Sequence, residues 1–214
     1  MEERINDEVI YYYDLHPTEE DLMGETSDHS MLVRYLMEVL TYFFEGQTCA
    51  VYENLNFYQT DYYKEEPLAP DIAVIKGVVL GPLTSWRVQT TGPAPHVVLE
   101  ILSAETWKKD LEEKPDIYAR LGVQEYFAYD PNPSPLAPAT GKRLFGWRRD
   151  ALSGGMTPLL PNEDGSLWSE ELDSFLVPNE RLLRLADRHR QLRLTQAEAL
   201  AEKLRSLGVD PDQL

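Results

Sequence analysis

Two stretches decide the fold: Pro70-Asp71-Ile72-Ala73-Val74-Ile75 and His96-Val97-Val98-Leu99-Glu100-Ile101-Leu102-Ser103. Both are short aliphatic runs without the polar alternation of a half-exposed strand. Each therefore reads as a strand covered on both faces, the kind found in a layered α/β sheet. Each also carries one acid: Asp71 opens the first run and Glu100 interrupts the second. A buried carboxylate is unfavourable unless something compensates it. If the two strands are sheet neighbours, the carboxylates meet and raise each other's proton affinity. A hard divalent cation such as Mg²⁺ or Mn²⁺ is the usual remedy. The competing reading has Asp71 capping a turn and Glu100 facing solvent.

Working outward, residues 104–121 read as a helix with Asp110, Lys114 and Tyr118 at four-residue steps. Pro115 removes a helix donor and disfavours helical geometry at Lys114, so a kink or restart is expected there. Gly122 ends the helix, and Glu125-Tyr126-Phe127-Ala128-Tyr129 forms the next strand, closed by Asp130-Pro131. A Pro/Ser/Ala loop follows over 131–141. Two or three more strands are expected near 143–149, 156–160 and 182–194, then a helix over 195–207 with Leu200, Leu204 and Leu207 on one face. Upstream, Met31, Leu32, Tyr35, Leu36, Val39, Leu40 and Phe43 recur at three- and four-residue steps, an amphipathic helix over 30–45 stopped at Gly46. Residues 48–58 read as a strand, 60–70 as a polar turn-rich stretch and 78–95 as a loop. The expected fold class is α/β, a central mixed sheet flanked by helices with a C-terminal helix. One domain is expected over 1–194, including an acidic region 1–29, with a helical tail at 195–214.

The chain's 214 residues suit one domain, and 43% hydrophobic content argues against wholesale disorder. Its net charge of −17 would repel a phosphate backbone if spread evenly. It is not even: residues 1–71 hold 17 acids and 3 bases, whereas 72–140 hold 8 and 6, and 141–214 hold 12 and 11. Nucleic acid would therefore avoid the N-terminal face. The single cysteine, Cys49, excludes an intrachain disulfide framework or cysteine zinc cluster and fits a reducing cytosol. No apolar run approaches the roughly 18 residues of a membrane span. The acidic start, Met1 to Glu8, has the wrong charge for a secretory or transit segment. A soluble cytoplasmic protein is expected. No phosphate-binding Gly-rich loop, dinucleotide fingerprint, nucleophile elbow or His-Glu-x-x-His pair is present.

Four segments in order resemble one family. They are Pro70 to Ile75, His96 to Ser103 with Glu105-Thr106, the Asp110, Lys114, Tyr118 helix, and Gly122-Val123-Gln124-Glu125-Tyr126-Phe127-Ala128-Tyr129-Asp130-Pro131. This pattern resembles the "putative restriction endonuclease" family of the PD-(D/E)xK nuclease superfamily, clearly over 70–131 and more weakly back to His29. The resemblance implies a restriction-endonuclease-like fold. It also implies a metal held by Asp71, Glu100 and the backbone carbonyl of Ile101, and Mg²⁺- or Mn²⁺-dependent phosphodiester hydrolysis, with DNA as the substrate. The superfamily lysine two residues after the glutamate is replaced here by Leu102. The following helix nominates Lys114 in its place, with Lys108 and Lys109 in reserve.

Around this set, Glu38 is either an additional acid facing the metal or part of a solvated helix face. His29 is either catalytic or a loop hydrogen-bonding group, and Tyr118 reads as core. Lys142, Arg143, Arg148 and Arg149, then Arg181, Arg184, Arg188, Arg190 and Arg193, either meet DNA phosphates or pair with the acidic first third. The leucine stripe of 195–207 and the habit of symmetric pairing suggest a homodimer. The alternative to a nuclease is a non-catalytic protein-binding module that keeps the fold.

Overall fold

In a computed structural model of the chain, residues 27–59, 66–132, 134–137, 140–179 and 181–187 are described. The expected helix at 195–207, the tail boundary at 194 and most of the acidic region 1–29 lie outside them. Three helices and eleven strands follow in order: α1 (Ser27–Phe43), β1 (Cys49–Glu53), β2 (Asn56–Tyr58), β3 (Ile72–Lys76), β4 (Ser85–Arg87), β5 (Val97–Ile101), α2 (Trp107–Glu112), α3 (Lys114–Leu121), β6 (Glu125–Tyr129), β7 (Leu144–Arg149), β8 (Met156–Pro158), β9 (Leu167–Ser169), β10 (Ser174–Asn179) and β11 (Leu182–Ala186).

The central sheet runs β1-β3-β5-β6-β7-β8. Only β5 and β6 pair in parallel, and α2 and α3 make the crossover between them. The other neighbours are antiparallel. This is the expected mixed sheet. Strands β3, β5 and β6 are buried on both faces because side chains alternate across the pleat. Ile72, Val74, Val97, Leu99 and Phe127 join Leu32, Leu36 and Leu40 of α1 in one core. Ala73, Ile75, Val98, Tyr126 and Ala128 join Tyr118 and Leu121 of α3 in the other.

The helix expected over 104–121 is two helices. Pro115 sits in the first turn of α3, where its missing N–H is tolerated, and the break falls at Glu113. Gly122 then ends α3 in the left-handed conformation at φ 96°, its amide bonding back to Ala119 and Tyr118. The stretch read as one strand over 48–58 is two, β1 and β2, divided where Asn54 takes φ 48°. The stretch read as a loop over 78–95 contains β4, which pairs in parallel with β2. The strands β9 and β10 were not anticipated. They form a three-stranded antiparallel sheet with β11.

Glu125 ties that small sheet to the large one. It is 1% exposed, and its carboxylate accepts bonds from Arg148 Nε at 2.8 Å, the Glu170 amide at 3.0 Å, the Glu171 amide at 3.2 Å and the Ser169 hydroxyl. Gly146 of β7 packs closely against Leu167 of β9. A Cβ there would lie 2.8 Å from both Leu167 Cδ1 and Phe127 Cδ1. Gly146→Ala is expected to destabilise the fold by about 1–3 kcal/mol, measured by chemical denaturation.

Candidate active site

The strand register brings the two acids together. Ile72 faces Leu99 across β3 and β5, so Asp71 and Glu100 are adjacent at one end of the sheet, both buried. The Asp71 amide points at Glu100 Oε2 across 3.4 Å. Asp71 Oδ2 accepts the Ile101 amide at 2.7 Å. His29, near the start of α1, places Nε2 3.1 Å from Asp71 Oδ1; the carboxylate accepts, so Nε2 carries the proton.

Lys114 completes the group from the first residue of α3. Its ammonium donates to Glu100 Oε1 at 2.9 Å and lies 2.7 Å from Asp110 Oδ1. Tyr118, one helical turn further on, donates its hydroxyl to the same Glu100 oxygen. Asp110 Oδ2 accepts the Thr106 hydroxyl at 2.7 Å, and Tyr126 donates to the Asp110 backbone carbonyl at 2.9 Å. Asp110, Lys114 and Tyr118 thus share one face, from which Lys114 and Tyr118 reach Glu100 and Asp110 reaches Lys114.

Burial dominates the electrostatics. It pushes the Glu100 carboxyl up from its ordinary 4.5 to about 7; Lys114 opposes this, while Asp71 and Asp110 add to it. Burial alone would lower Lys114, but Glu100 and Asp110 outweigh it and hold the ammonium above its ordinary range. In the metal-free site the two carboxylates therefore favour the ammonium form of Lys114. Burial, then the Glu100 charge, raises the Tyr118 phenol, which stays protonated.

A raised folded-state carboxyl favours the protonated form. The stability it contributes is complete below about 4.5 and is lost as pH rises through about 7. The metal-free protein is expected to melt at a lower temperature at pH 8.5 than at pH 5.5. The melting shift produced by Mn²⁺ should be larger at the higher pH, because metal ligands must be deprotonated. Differential scanning fluorimetry at the two pH values checks both.

Asp71, Glu100 and Lys114 are thus brought together. The Ile101 amide is engaged by Asp71, while its carbonyl belongs to the last residue of β5. Lys108 and Lys109 are exposed, and Lys108 lies over the Trp107 ring at 5.6 Å. Glu38 is exposed on α1. Three residues take a larger part than the sequence assigned them: His29, Asp110 and Tyr118. Tyr118 is core, at 1% exposure, yet its hydroxyl serves Glu100. The Asp110-Lys114-Tyr118 spacing was the available signal. Two of the late arginines have partners outside the acidic first third: Arg148 bridges Glu125 and Glu170, and Arg149 bonds the Ala119 carbonyl. Arg143 bonds the Asp130 carbonyl at 3.0 Å and the Tyr129 hydroxyl at 3.2 Å, both neutral partners.

The donor set fits a hard divalent cation. Two carboxylates converge, and among the described residues Glu100 Oε2 is engaged only by the long contact from the Asp71 amide. Among the described residues no group of three or more His, Cys, Asp or Glu side chains is arranged to hold a metal. A Mg²⁺ ion normally takes only one or two carboxylates and keeps several waters, so a pair suffices. Among the described residues no helix is long and apolar enough to cross a membrane.

No curated protein matches the chain. Among solved structures, it is similar to a "putative nuclease belonging to DUF820 from Anabaena variabilis". The identity is 14% and the TM-score 0.48, covering 69% of this chain and 75% of that one. A model of the Uma2 family, described as "Putative restriction endonuclease", matches residues 6–173. That span takes in α1, the acid-bearing strands, the Asp110-Lys114-Tyr118 face and the start of the small sheet, and the chain belongs to the Uma2 family.

Proposed function

We propose that the protein is a Mg²⁺- or Mn²⁺-dependent endonuclease that hydrolyses phosphodiester bonds in DNA. The observation that carries this reading is the convergence of Asp71, Glu100 and Lys114 at one sheet end, within the stretch the family model matches. Asp71 and Glu100, with the Ile101 carbonyl, would hold the cation. Bound there, a divalent cation lowers the pKa of an attacking water and polarises the scissile phosphoryl group.

The chain's own groups divide the remaining work. The Lys114 and Tyr118 bonds to Oε1 fix the Glu100 carboxylate and turn Oε2 toward Asp71. His29 and the Ile101 amide fix Asp71 from two sides. The Lys114 ammonium, favoured by its two carboxylate neighbours, stabilises negative charge that develops on the phosphoryl oxygens. Arg143 immediately precedes β7 at the same sheet end, and its two bonds go to neutral partners, so its charge suits a neighbouring phosphate. A homodimer, which gives two sites for two strands, belongs to the same reading and is checked by light scattering.

The test is incubation with supercoiled, linear and single-stranded DNA, with and without Mg²⁺ or Mn²⁺. Metal-dependent cleavage that disappears in Asp71→Ala and Glu100→Ala is the expected result. Cleavage unchanged in both variants marks a contaminant and contradicts the reading. So does the absence of cleavage together with a stable protein partner on pull-down, which is the outcome for a non-catalytic binding module.

A further inference from the structure

We infer that Asp110 is a positioning residue for this site. It holds the Lys114 ammonium between two carboxylates and thereby keeps Glu100 Oε2 available to a cation. The inference deepens the nuclease reading and rests on it.

Asp110 is 1% exposed. An apolar residue at that place in α2 would avoid the desolvation of a carboxylate, so the charge has to be accounted for by what it touches. Both ends of the residue are fixed. Oδ2 accepts the Thr106 hydroxyl at 2.7 Å, and Thr106 is in turn held by Ser103, whose hydroxyl accepts the Thr106 amide at 3.1 Å. The backbone carbonyl accepts the Tyr126 hydroxyl at 2.9 Å. The remaining oxygen, Oδ1, lies 2.7 Å from Lys114 Nζ.

This contact crosses the break between α2 and α3. Pro115 has no amide proton, so the backbone ladder is interrupted beside Lys114. A long, flexible side chain at a helix start has many rotamers, and the two carboxylates select one. The ammonium donates one bond to Glu100 Oε1 and stands at ion-pair distance, 2.7 Å, from Asp110 Oδ1, which has no other hydrogen-bond partner among the described residues. If Asp110 loses its charge, Lys114 is drawn onto Glu100 alone and competes there with a metal ion. The charge count points the same way. Asp71, Glu100 and Asp110, when ionised, sum with Lys114 to a local charge of −2, which a divalent cation neutralises. Without Asp110 the sum is −1, and the attraction for that cation falls.

The decisive variant is Asp110→Asn, which preserves shape. In the full-length protein, Mn²⁺ affinity is read by calorimetry and cleavage by steady-state kinetics. The expected result is a loss of Mn²⁺ affinity of about tenfold or more and a turnover loss of about 10- to 100-fold, the range for residues that act through a ligand's partner. The KM for DNA should be unchanged. In a Lys114→Met background, Asp110→Asn should add no further loss to turnover, because the residue acts through Lys114. Should Asp110→Asn fail to fold, Thr106→Val loosens Asp110 by removing the Oδ2 bond, together with the 3.0 Å contact between the Thr106 and Ser103 hydroxyls, and a smaller loss in the same two readouts is expected. Unchanged Mn²⁺ affinity and turnover in Asp110→Asn, or in the folded Thr106→Val substitute, overturns the inference, as do losses that add fully to those of Lys114→Met. An unmodified protein that binds no Mn²⁺ overturns the nuclease reading and this inference together. That outcome is distinct from a wild type that binds and cleaves beside an indifferent variant.

Discussion

Glu100→Gln is expected to lower metal-dependent cleavage by about 10³-fold or more, and to remove Mn²⁺ binding, while the chain stays folded. The amide keeps the volume of the carboxyl group, and its oxygen still accepts from Tyr118 and Lys114. It lacks the negative charge that a divalent cation requires. The substitution separates a functional from a structural role because burial already favours a neutral group at this position, with the carboxyl pushed up to about 7. Gln imitates that neutral state at every pH. The metal-free variant should therefore melt at or above the wild-type temperature at pH 8.5, and its stability should vary less between pH 5.5 and 8.5. An inactive variant that is also unstable at high pH would mean that the glutamate serves the fold.

Lys114→Met is expected to reduce both stability and turnover. The side chain is 14% exposed and lies between carboxylates that are 5% and 2% exposed. Removing it leaves Glu100 and Asp110 without their shared cation. Breaking a buried ion pair from one side typically destabilises by about 3–5 kcal/mol, because the desolvation of the remaining charges is no longer offset. Urea denaturation measures that loss. Protonation of Glu100 at pH 5.5 relieves part of it, so the deficit should be smaller there than at pH 8.5. Turnover is expected to fall by about 10²- to 10³-fold, the range for removing one charge-stabilising donor from an active site. Lys108→Met and Lys109→Met, at exposed positions, should change stability by less than about 0.5 kcal/mol.

The parts of this arrangement that were legible in the sequence share a physical cause. Ile72 to Ile75, Val97 to Ile101 and Glu125 to Tyr129 are strands whose both faces are covered, and runs that are apolar apart from Glu100 and Glu125 encode that burial directly. Pro115 announced the helix break through its missing donor. The four-residue steps from Asp110 to Tyr118 announced a common face. What stayed hidden depends on partners distant in sequence. Leu167–Ser169 and Ser174–Asn179 carry buried serines at positions that read as turn or surface; Ser169 is satisfied by the Glu125 carboxylate from another sheet. Three-residue strands such as Ser85–Arg87 are too short to show a period. Tyr118 reads as core because burial of its ring and service of its hydroxyl leave the same mark in a sequence. The same holds for His29: only the fold shows that a residue entering α1 reaches Asp71, 42 positions later. Arg148 reads in the sequence as either a phosphate contact or a partner of the acidic first third, and the register places it beside Glu125 instead.

The central claim is that Asp71 and Glu100 form one divalent-cation site. Diffraction from crystals soaked in Mn²⁺, collected for anomalous scattering, tests it most directly. The account predicts one anomalous peak between the two carboxylates, within about 2.0–2.3 Å of an oxygen of each and absent in Glu100→Gln crystals. Mn²⁺ bound elsewhere on the protein, with no peak between Asp71 and Glu100 at saturating concentration and pH 8, would contradict it.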